Sequence, residues 1–138
     1  MRHLFQIIEN QHPLMLRPTE TVKHACRQMR DRRVGAVLVT DDEAHLLGIF
    51  TARDAVWRVL AEARDPAATT LAEVMTRDPH TLAPTKRAID ALRLMREGGH
   101  RHLPVIDQDR VVGVISHVDF RGLEQDRLDE EIGLWERL

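Results

Sequence analysis

The apolar positions in the first half of the chain follow two different periods. A spacing of i, i+3, i+4 and i+7 predicts one buried stripe on a helix, formed by Val22, Ala25, Cys26 and Met29. Thr19 is the expected N-cap of this helix and Gly35 its expected end. Short continuous apolar runs have the composition of buried strands and occupy Leu14–Leu16, Ala36–Val39 and His45–Phe50. Thr51 then begins a second helix over residues 52–63, which gives the order strand, helix, strand, strand, helix.

The second half of the chain repeats this order. Ten residues between Pro13 and Asp41 have an identical residue 66 positions later, and a one-residue slip then aligns Leu46–Asp54 with Val111–Asp119. The second copy has a short strand with Leu82 and a helix from Pro84-Thr85 to Gly98-Gly99. The apolar stripe of this helix consists of Ala88, Ala91, Leu92 and Met95. Two strands follow at Leu103–Ile106 and Val111–Ile115. Such a duplication predicts a pseudo-two-fold module with a candidate ligand site where the copies face each other.

Two further segments connect and extend the copies. Leu71–Met75 is expected to form a small helix that leads into the second copy. Leu128, Ile132 and Trp135 lie at i, i+4 and i+7 and predict an amphipathic C-terminal helix, which either packs on the repeats or contributes to a dimer. The predicted organisation is repeat 1 with its lead-in over residues 1–66, repeat 2 over residues 67–124 and a C-terminal helix over residues 125–138.

The composition favours a globular protein of the cytoplasm without a membrane segment. The net charge of the 138 residues is −2, which gives no general case for binding nucleic acid. No apolar run approaches the ~20 residues of a membrane span, and the N-terminus lacks the apolar segment of a signal peptide. The one cysteine, Cys26, cannot form an internal disulfide, so a reducing compartment fits best.

One short motif occurs at matching points of both copies. Gly48–Asp54 and Gly113–Asp119 each contain a glycine, an apolar strand and a Thr/Ser-x-x-Asp sequence at an expected helix start. An aspartate in the first turn of a helix can accept hydrogen bonds from both hydroxyls of a ribose. A Thr or Ser N-cap beside free backbone N–H groups suits a phosphate, and the glycine allows a close approach. The alternative is that both motifs only cap their helices.

These features resemble a tandem pair of CBS domains, often called a Bateman module, over roughly residues 5–122. The two motifs look like the family's glycine, apolar strand and Thr/Ser-x-x-Asp motif, and Arg101–Asp107 looks like its second strand. Copy one departs from this pattern, since Leu38 stands where copy two has Pro104. The resemblance implies an α/β (α+β) fold of two β-α-β-β-α CBS repeats packed with pseudo-two-fold symmetry, plus the short C-terminal helix.

In this family a ligand contacts both repeats, so the resemblance implies two clefts. One would use Ser116, Asp119, Val114 and Arg101 from copy two with Arg17, Val34 and Gly35 from copy one. The other would use Thr51, Asp54, Ile49 and Arg53 from copy one with Ala83, His100 and Arg101 from copy two. Because His100-Arg101-His102 stands where copy one has Val34-Gly35-Ala36, we expect unequal sites with ligand phosphates near Arg101.

The predicted function is a stand-alone regulatory or sensor module, not an enzyme, that binds an adenosine-containing ligand and signals through contacts with an unidentified target protein. AMP, ADP or ATP is the expected ligand, S-adenosylmethionine and NAD are alternatives, and no cofactor is required. Trp57 and Leu60 give the helix after Thr51 an apolar edge of the kind that forms dimers in CBS modules, which predicts a disc-like homodimer. One alternative is a structural dimerisation module without a physiological nucleotide. Catalysis is a third option, but no nucleophile–base pair or metal triad is visible in the sequence.

The remaining chemistry-bearing residues have simpler interpretations. His100 and His102 would point to the same side of a strand and His117 could approach them in the fold, but a structural or phosphate-side role is favoured over a metal site. Cys26 is expected in the core. A set of basic residues is interpreted as a solvated helix face, and the alternative is that they bind an acidic surface of a partner: Lys23, Arg27, Arg30, Arg32 and Arg33.

Overall fold

The computed structural model describes residues 2–120, so the predicted helix over residues 125–138 lies outside the described part. Helices and strands are mixed, and the fold is α+β, as the sequence predicts. In chain order the elements are α1 (Leu4–Ile8), β1 (Met15–Leu16), α2 (Val22–Arg32), β2 (Ala36–Thr40), β3 (Leu46–Thr51), α3 (Ala52–Asp54) with a π-helical continuation (Ala55–Leu60), α4 (Leu71–Val74), β4 (Thr76–Arg77), α5 (Ala88–Gly98), β5 (His102–Asp107), β6 (Arg110–Ser116) and a 3₁₀ turn (His117–Asp119).

The described chain divides into two units, each with its own hydrophobic core. The first-repeat unit consists of residues 12–79 and 108–111, and the second-repeat unit of residues 2–11, 80–107 and 112–120. The N-terminal segment therefore belongs with the second repeat, whereas the predicted boundaries assign it to the first. The physical reason is burial: Leu4 and Ile8 lie in the same apolar cluster as Leu92 and Ile115.

The first-repeat unit is built on a four-stranded sheet with the order β1-β2-β3-β4. β1 is parallel to β2, and β3 is antiparallel to both β2 and β4. The predicted helical stripe is confirmed, because Val22, Ala25 and Met29 are buried in one cluster with Val37 and Phe50, and Cys26 packs at its edge. Every residue of β2 is buried, which explains why its sequence is a continuous apolar run.

The second-repeat unit repeats this pairing at the backbone level. β5 and β6 form a two-stranded sheet. Leu82 pairs in parallel with Val105, just as Leu16 pairs with Val39 in the first-repeat unit, 66 positions earlier. The stripe of α5 is buried as predicted. The duplication seen in the sequence thus extends to the register of the strands.

Both long helices begin later than the sequence predicts. The N-cap of α2 is Thr21 instead of Thr19, and Thr21 Oγ1 accepts a hydrogen bond from the His24 N–H at 3.1 Å. Thr21 also forms an isolated bridge with Thr70, and the Val22 N–H donates to the Thr69 carbonyl at 2.9 Å. Pairing with a segment distant in the sequence therefore sets the start of α2.

The same arrangement delays α5, which begins at Ala88 instead of Pro84-Thr85. Its N-cap Arg87 forms an isolated bridge with His3, and the Ala88 N–H donates to the Arg2 carbonyl at 2.8 Å. The prediction of both helix starts was wrong for one reason: local capping signals contain no information about these distant partners.

The two long helices also end differently. The C-cap of α2 is Arg33, in the left-handed conformation with φ 54°, and its N–H donates to the Met29 and Arg30 carbonyls. Gly35, the predicted end, lies beyond this point. α5 ends as predicted, with Gly98 as its last residue and Gly99 as a left-handed C-cap at φ 69°.

The glycine of each motif allows another segment of its own unit to approach closely. A Cβ at Gly48 would lie 2.7 Å from Met75 Sδ and from the Thr76 carbonyl oxygen. A Cβ at Gly113 would lie 2.6 Å from Ile8 Cγ2. In both units, the close contact predicted from these glycines is made by the chain itself.

A side chain in the second-repeat unit takes the place of β4. In the first-repeat unit, Gly48 pairs with Arg77 across β3 and β4. The residue 66 positions before Arg77 is Gln11. Its amide nitrogen donates to the Val114 carbonyl at 2.9 Å, and its amide oxygen accepts from the Val114 N–H at 3.0 Å. The Gln11 side chain therefore forms hydrogen bonds with the backbone of β6 at the point where, in the first-repeat unit, strand β4 forms them with the backbone of β3.

The helix after β3 widens into a π-helix, which the sequence does not predict. The Ala61 N–H donates to the Val56 carbonyl, five residues earlier, at 2.8 Å. Val59 faces the core, whereas Val56, Trp57 and Leu60 are exposed. Across residues 2–120, no helix is both long and apolar enough to span a bilayer.

Candidate functional site

The Thr51–Asp54 motif forms a closed cap at the end of β3. Thr51 Oγ1 accepts from the Asp54 N–H at 3.4 Å. In return, Asp54 Oδ2 accepts from the Thr51 N–H at 2.9 Å and from the Thr51 hydroxyl at 3.1 Å. Asp54 is buried, with 9% of its surface exposed. This is the reciprocal arrangement of a capping box, and all of these hydrogen bonds are internal.

Arg58 pairs with the other oxygen of the Asp54 carboxylate. Its Nε lies 3.5 Å from Asp54 Oδ1, and its Nη1 donates to the Val74 and Met75 carbonyls at 3.2 Å each. Arg58 is a residue of this site that was not predicted from the sequence. Its position four residues after Asp54 could have predicted this pair, because side chains at i and i+4 of a helix are neighbours.

The Ser116–Asp119 motif is capped in a similar way but keeps more of its carboxylate unoccupied. Asp119 Oδ2 accepts from the Ser116 N–H at 2.7 Å, and Ser116 Oγ accepts from the Val118 N–H at 3.4 Å. Asp119 is half-buried. Among residues 2–120, no hydrogen bond or ion pair reaches Asp119 Oδ1.

In each unit, one backbone hydrogen bond joins the residue before the second strand of the repeat to the start of the motif helix. The Gly35 carbonyl accepts from the Ala52 N–H at 3.2 Å, and the Arg101 carbonyl accepts from the His117 N–H at 3.1 Å. The second-repeat unit thereby places Arg101, whose side chain is exposed, next to the Ser116–Asp119 motif. The first-repeat unit has an uncharged glycine at the same point.

The other predicted site residues have varied surroundings. The Arg53 guanidinium lies 5.3 Å from the ring centroid of Trp57, within the range of a cation–π contact. Arg17 forms an exposed ion pair with Asp42 at 3.0 Å. Of the rest, Val34 and Ala83 are exposed, Val114 and His100 are partly buried, and Ile49 is buried. The predicted sets that combine residues of both repeats stay predictions.

The pKa of His102, in the second-repeat unit, is shifted by its surroundings. Burial lowers the pKa of its imidazole below the ordinary value. His117 lowers it further, Asp119 raises it and Arg101 lowers it. These four side chains therefore form one electrostatic cluster at the second motif.

Within the described range 2–120, no group of three or more His, Cys, Asp or Glu side chains is placed to hold a metal ion. The His100 ring lies 4.8 Å from that of His80, centroid to centroid, and a Cβ at Gly98 would come within 2.6 Å of it. His100 therefore has packing contacts on its own unit. Cys26 is partly buried, and burial raises the pKa of its thiol.

Comparison with known proteins identifies relatives over most of the chain. The family model of the CBS domain matches residues 6–61 and again residues 71–125. A CBS domain-containing protein of Arabidopsis thaliana, CBSCBSPB2, is 45% identical over 96 residues, which are 70% of this chain and 18% of the length of that protein. The chain thus spans less than a fifth of this longer relative.

Solved structures show the same fold. A protein with CBS domains from Burkholderia ambifaria MC40-6 matches with a TM-score of 0.79 and 30% identity, over 85% of this chain and 89% of that chain. The CBS domain protein PAE2072 from Pyrobaculum aerophilum, complexed with AMP, matches with a TM-score of 0.81 and 22% identity, over 93% and 98% of the two chains. With two family matches that follow the two repeats, the chain belongs to the CBS-domain family and carries two CBS domains in tandem.

Proposed function

We propose that this protein is a regulatory module that binds an adenosine-containing ligand of the AMP, ADP or ATP class and transmits the bound state through protein contacts. The observation that carries the proposal is the Thr/Ser-x-x-Asp motif, which stands directly after a strand in both repeats, at the start of α3 in the first and of a 3₁₀ turn in the second. A carboxylate there suits ribose hydroxyls, and the backbone N–H groups of the helix start suit a phosphate.

The ligand class has support from one structural neighbour. The Pyrobaculum aerophilum protein holds AMP, and the likeness at 22% identity concerns the fold alone. The same fold is therefore able to accommodate an adenine nucleotide. S-adenosylmethionine and NAD contain the same adenosine group and are the alternative ligands.

Thermal unfolding with each candidate ligand tests this function. AMP, ADP, ATP, S-adenosylmethionine and NAD would be compared at millimolar concentration, with GMP and adenine-free ribose 5-phosphate as controls for the base. A ligand at 100 times its Kd adds about 2.7 kcal/mol to the free energy of unfolding, so we expect a rise of several degrees in Tm. The absence of a shift with all five ligands would contradict the proposal.

A structural dimerisation module is the second candidate, and one surface favours it. Val56, Trp57 and Leu60 form an exposed apolar face on the π-helical segment, with 51%, 64% and 68% of their surfaces exposed. Large apolar side chains grouped on one exposed helix are typical of an interaction surface. We propose that this apolar face forms a homodimer contact. Such a contact is compatible with both the regulatory module and the structural dimerisation module.

A further inference from the structure

We infer that only the Ser116–Asp119 motif binds the ligand, so that each chain takes one ribose phosphate group instead of two. This inference rests on the proposed function and assigns it to one half of the duplication. The Thr51–Asp54 motif, despite its matching sequence, is a structural cap.

The Asp54 carboxylate has both of its oxygens engaged. Oδ2 accepts two hydrogen bonds from Thr51, and Oδ1 faces Arg58 Nε at 3.5 Å. The hydrogen bonds of Arg58 to the Val74 and Met75 carbonyls hold that guanidinium in place. Because Asp54 is 9% exposed, a ribose diol would have to displace Arg58 before it reached the carboxylate.

The Asp119 carboxylate differs at the same atoms. Oδ2 accepts one hydrogen bond, from the Ser116 N–H, and Oδ1 forms no hydrogen bond or ion pair with residues 2–120. Ser116 Oγ donates to no acceptor among those residues, whereas the Thr51 hydroxyl donates to Asp54. In the sequence, the residue that corresponds to Arg58 is Leu123, 65 positions later, which has no charge to offer the carboxylate.

Arginines lie at both motifs, but those of the first motif, Arg53 and Arg58, contact Trp57 and Asp54. Arg101 is bonded through its carbonyl to the His117 N–H at 3.1 Å, and Arg2 Nη2 donates to the Asp119 carbonyl at 3.0 Å. The residues of the first copy that match Arg101 and His117 are Gly35 and Ala52. The exposed Arg101 therefore offers positive charge to a phosphate beside the second motif, and the ligand class is a ribose that carries at least one phosphate.

Isothermal titration calorimetry with AMP on the full chain tests the assignment. We expect one AMP per chain for the wild type, and weaker binding of adenosine, which lacks the phosphate. Asp119→Asn is expected to weaken AMP binding more than tenfold. The matched variant Asp54→Asn is expected to change the Kd less than threefold while it lowers Tm, because the cap is lost.

Arg58→Leu provides the reverse test, since it introduces the residue type of the second copy. Removal of this guanidinium exposes Asp54 Oδ1, and we expect the stoichiometry to rise toward two at millimolar AMP. Unchanged stoichiometry would overturn the role of Arg58 in blocking the first motif.

The outcomes separate this inference from the function on which it rests. Two AMP molecules per wild-type chain, or loss of binding in Asp54→Asn but not in Asp119→Asn, would overturn the single site and leave the proposed function standing. No binding of any adenosine ligand would overturn the proposed function itself. If an aspartate variant fails to fold, the wild-type stoichiometry still decides between one site and two.

Discussion

Arg33 and Gly99 occupy matching positions, 66 residues apart, and both adopt the left-handed conformation after a long helix. For a residue with a Cβ this conformation costs roughly 1–2 kcal/mol, whereas glycine adopts it without steric cost. Arg33→Gly is therefore expected to raise the free energy of unfolding by about 1 kcal/mol. Urea denaturation would measure the change.

Gly99→Arg is the matched reverse substitution. Apart from its two chain neighbours, no atom of residues 2–120 lies within 4 Å of a Cβ at Gly99, so the expected destabilisation reports the backbone conformation. A loss of stability in Arg33→Gly would show that contacts of the arginine side chain outweigh its backbone strain.

His102 is expected to make the stability of the protein depend on pH. Its pKa is lowered in the folded state by burial and by His117 and Arg101, against the opposite effect of Asp119. Below the ordinary histidine pKa of about 6.5, the unfolded chain binds more protons than the folded one, so stability falls as the pH falls. His102→Ala introduces the residue of the first copy, Ala36, and is expected to flatten the dependence of Tm on pH between about 7.5 and 5.

An exposed histidine serves as the control for this experiment. His12→Ala is expected to keep the wild-type dependence of Tm on pH, because the His12 side chain is exposed. Parallel curves for wild type and His102→Ala would rule out His102 as the source of the response.

Among the elements, β6 differs from β3 in its hydrogen-bond partner, because the Gln11 side chain bonds to β6 whereas strand β4 bonds to β3. Gln11→Glu keeps the shape of the side chain but cannot donate to the Val114 carbonyl, which the Gln11 amide does at 2.9 Å. We expect the free energy of unfolding to fall by about 1–3 kcal/mol, the cost of leaving a partly buried polar group unpaired. Urea denaturation of the variant and the wild type would measure it.

Glu9→Gln is a matched charge change in the same segment, at an exposed position. It is expected to alter stability by less than about 0.5 kcal/mol. If Gln11→Glu were equally silent, the hydrogen bond that Gln11 donates to the Val114 carbonyl would contribute nothing to holding the N-terminal segment on β6.

At the scale of the whole molecule, the apolar face of Val56, Trp57 and Leu60 is expected to determine the oligomeric state. Trp57 is 64% exposed, and a charge placed in a buried contact without a partner is strongly unfavourable. Trp57→Glu is therefore expected to convert a dimer into a monomer, as measured by size-exclusion chromatography with light scattering. Phe5→Glu, at another apolar residue that is 50% exposed, is expected to leave the dimer intact. A monomeric wild type would refute the proposed contact.

The local and repetitive features of this protein follow directly from its amino-acid sequence. The α+β class, the tandem repeat, the stripe of Val22, Ala25 and Met29, the buried strand β2 and the caps Thr51 and Ser116 were all predicted, and the structure confirms them. They were predictable because helical periodicity, apolar runs and capping residues act over a few positions along the chain.

Features that depend on partners distant in the sequence are visible only in the folded chain. Thr70 and His3 set the starts of α2 and α5, and the burial of Leu4 and Ile8 assigns the N-terminal segment to the second-repeat unit. The same holds for the candidate site, where two motifs alike in sequence differ in the contacts of their carboxylates. Arg58 engages Asp54 at 3.5 Å, while Asp119 Oδ1 keeps no such partner within residues 2–120, because hydrogen bonds and ion pairs are formed by atoms close in space, whatever their separation along the chain.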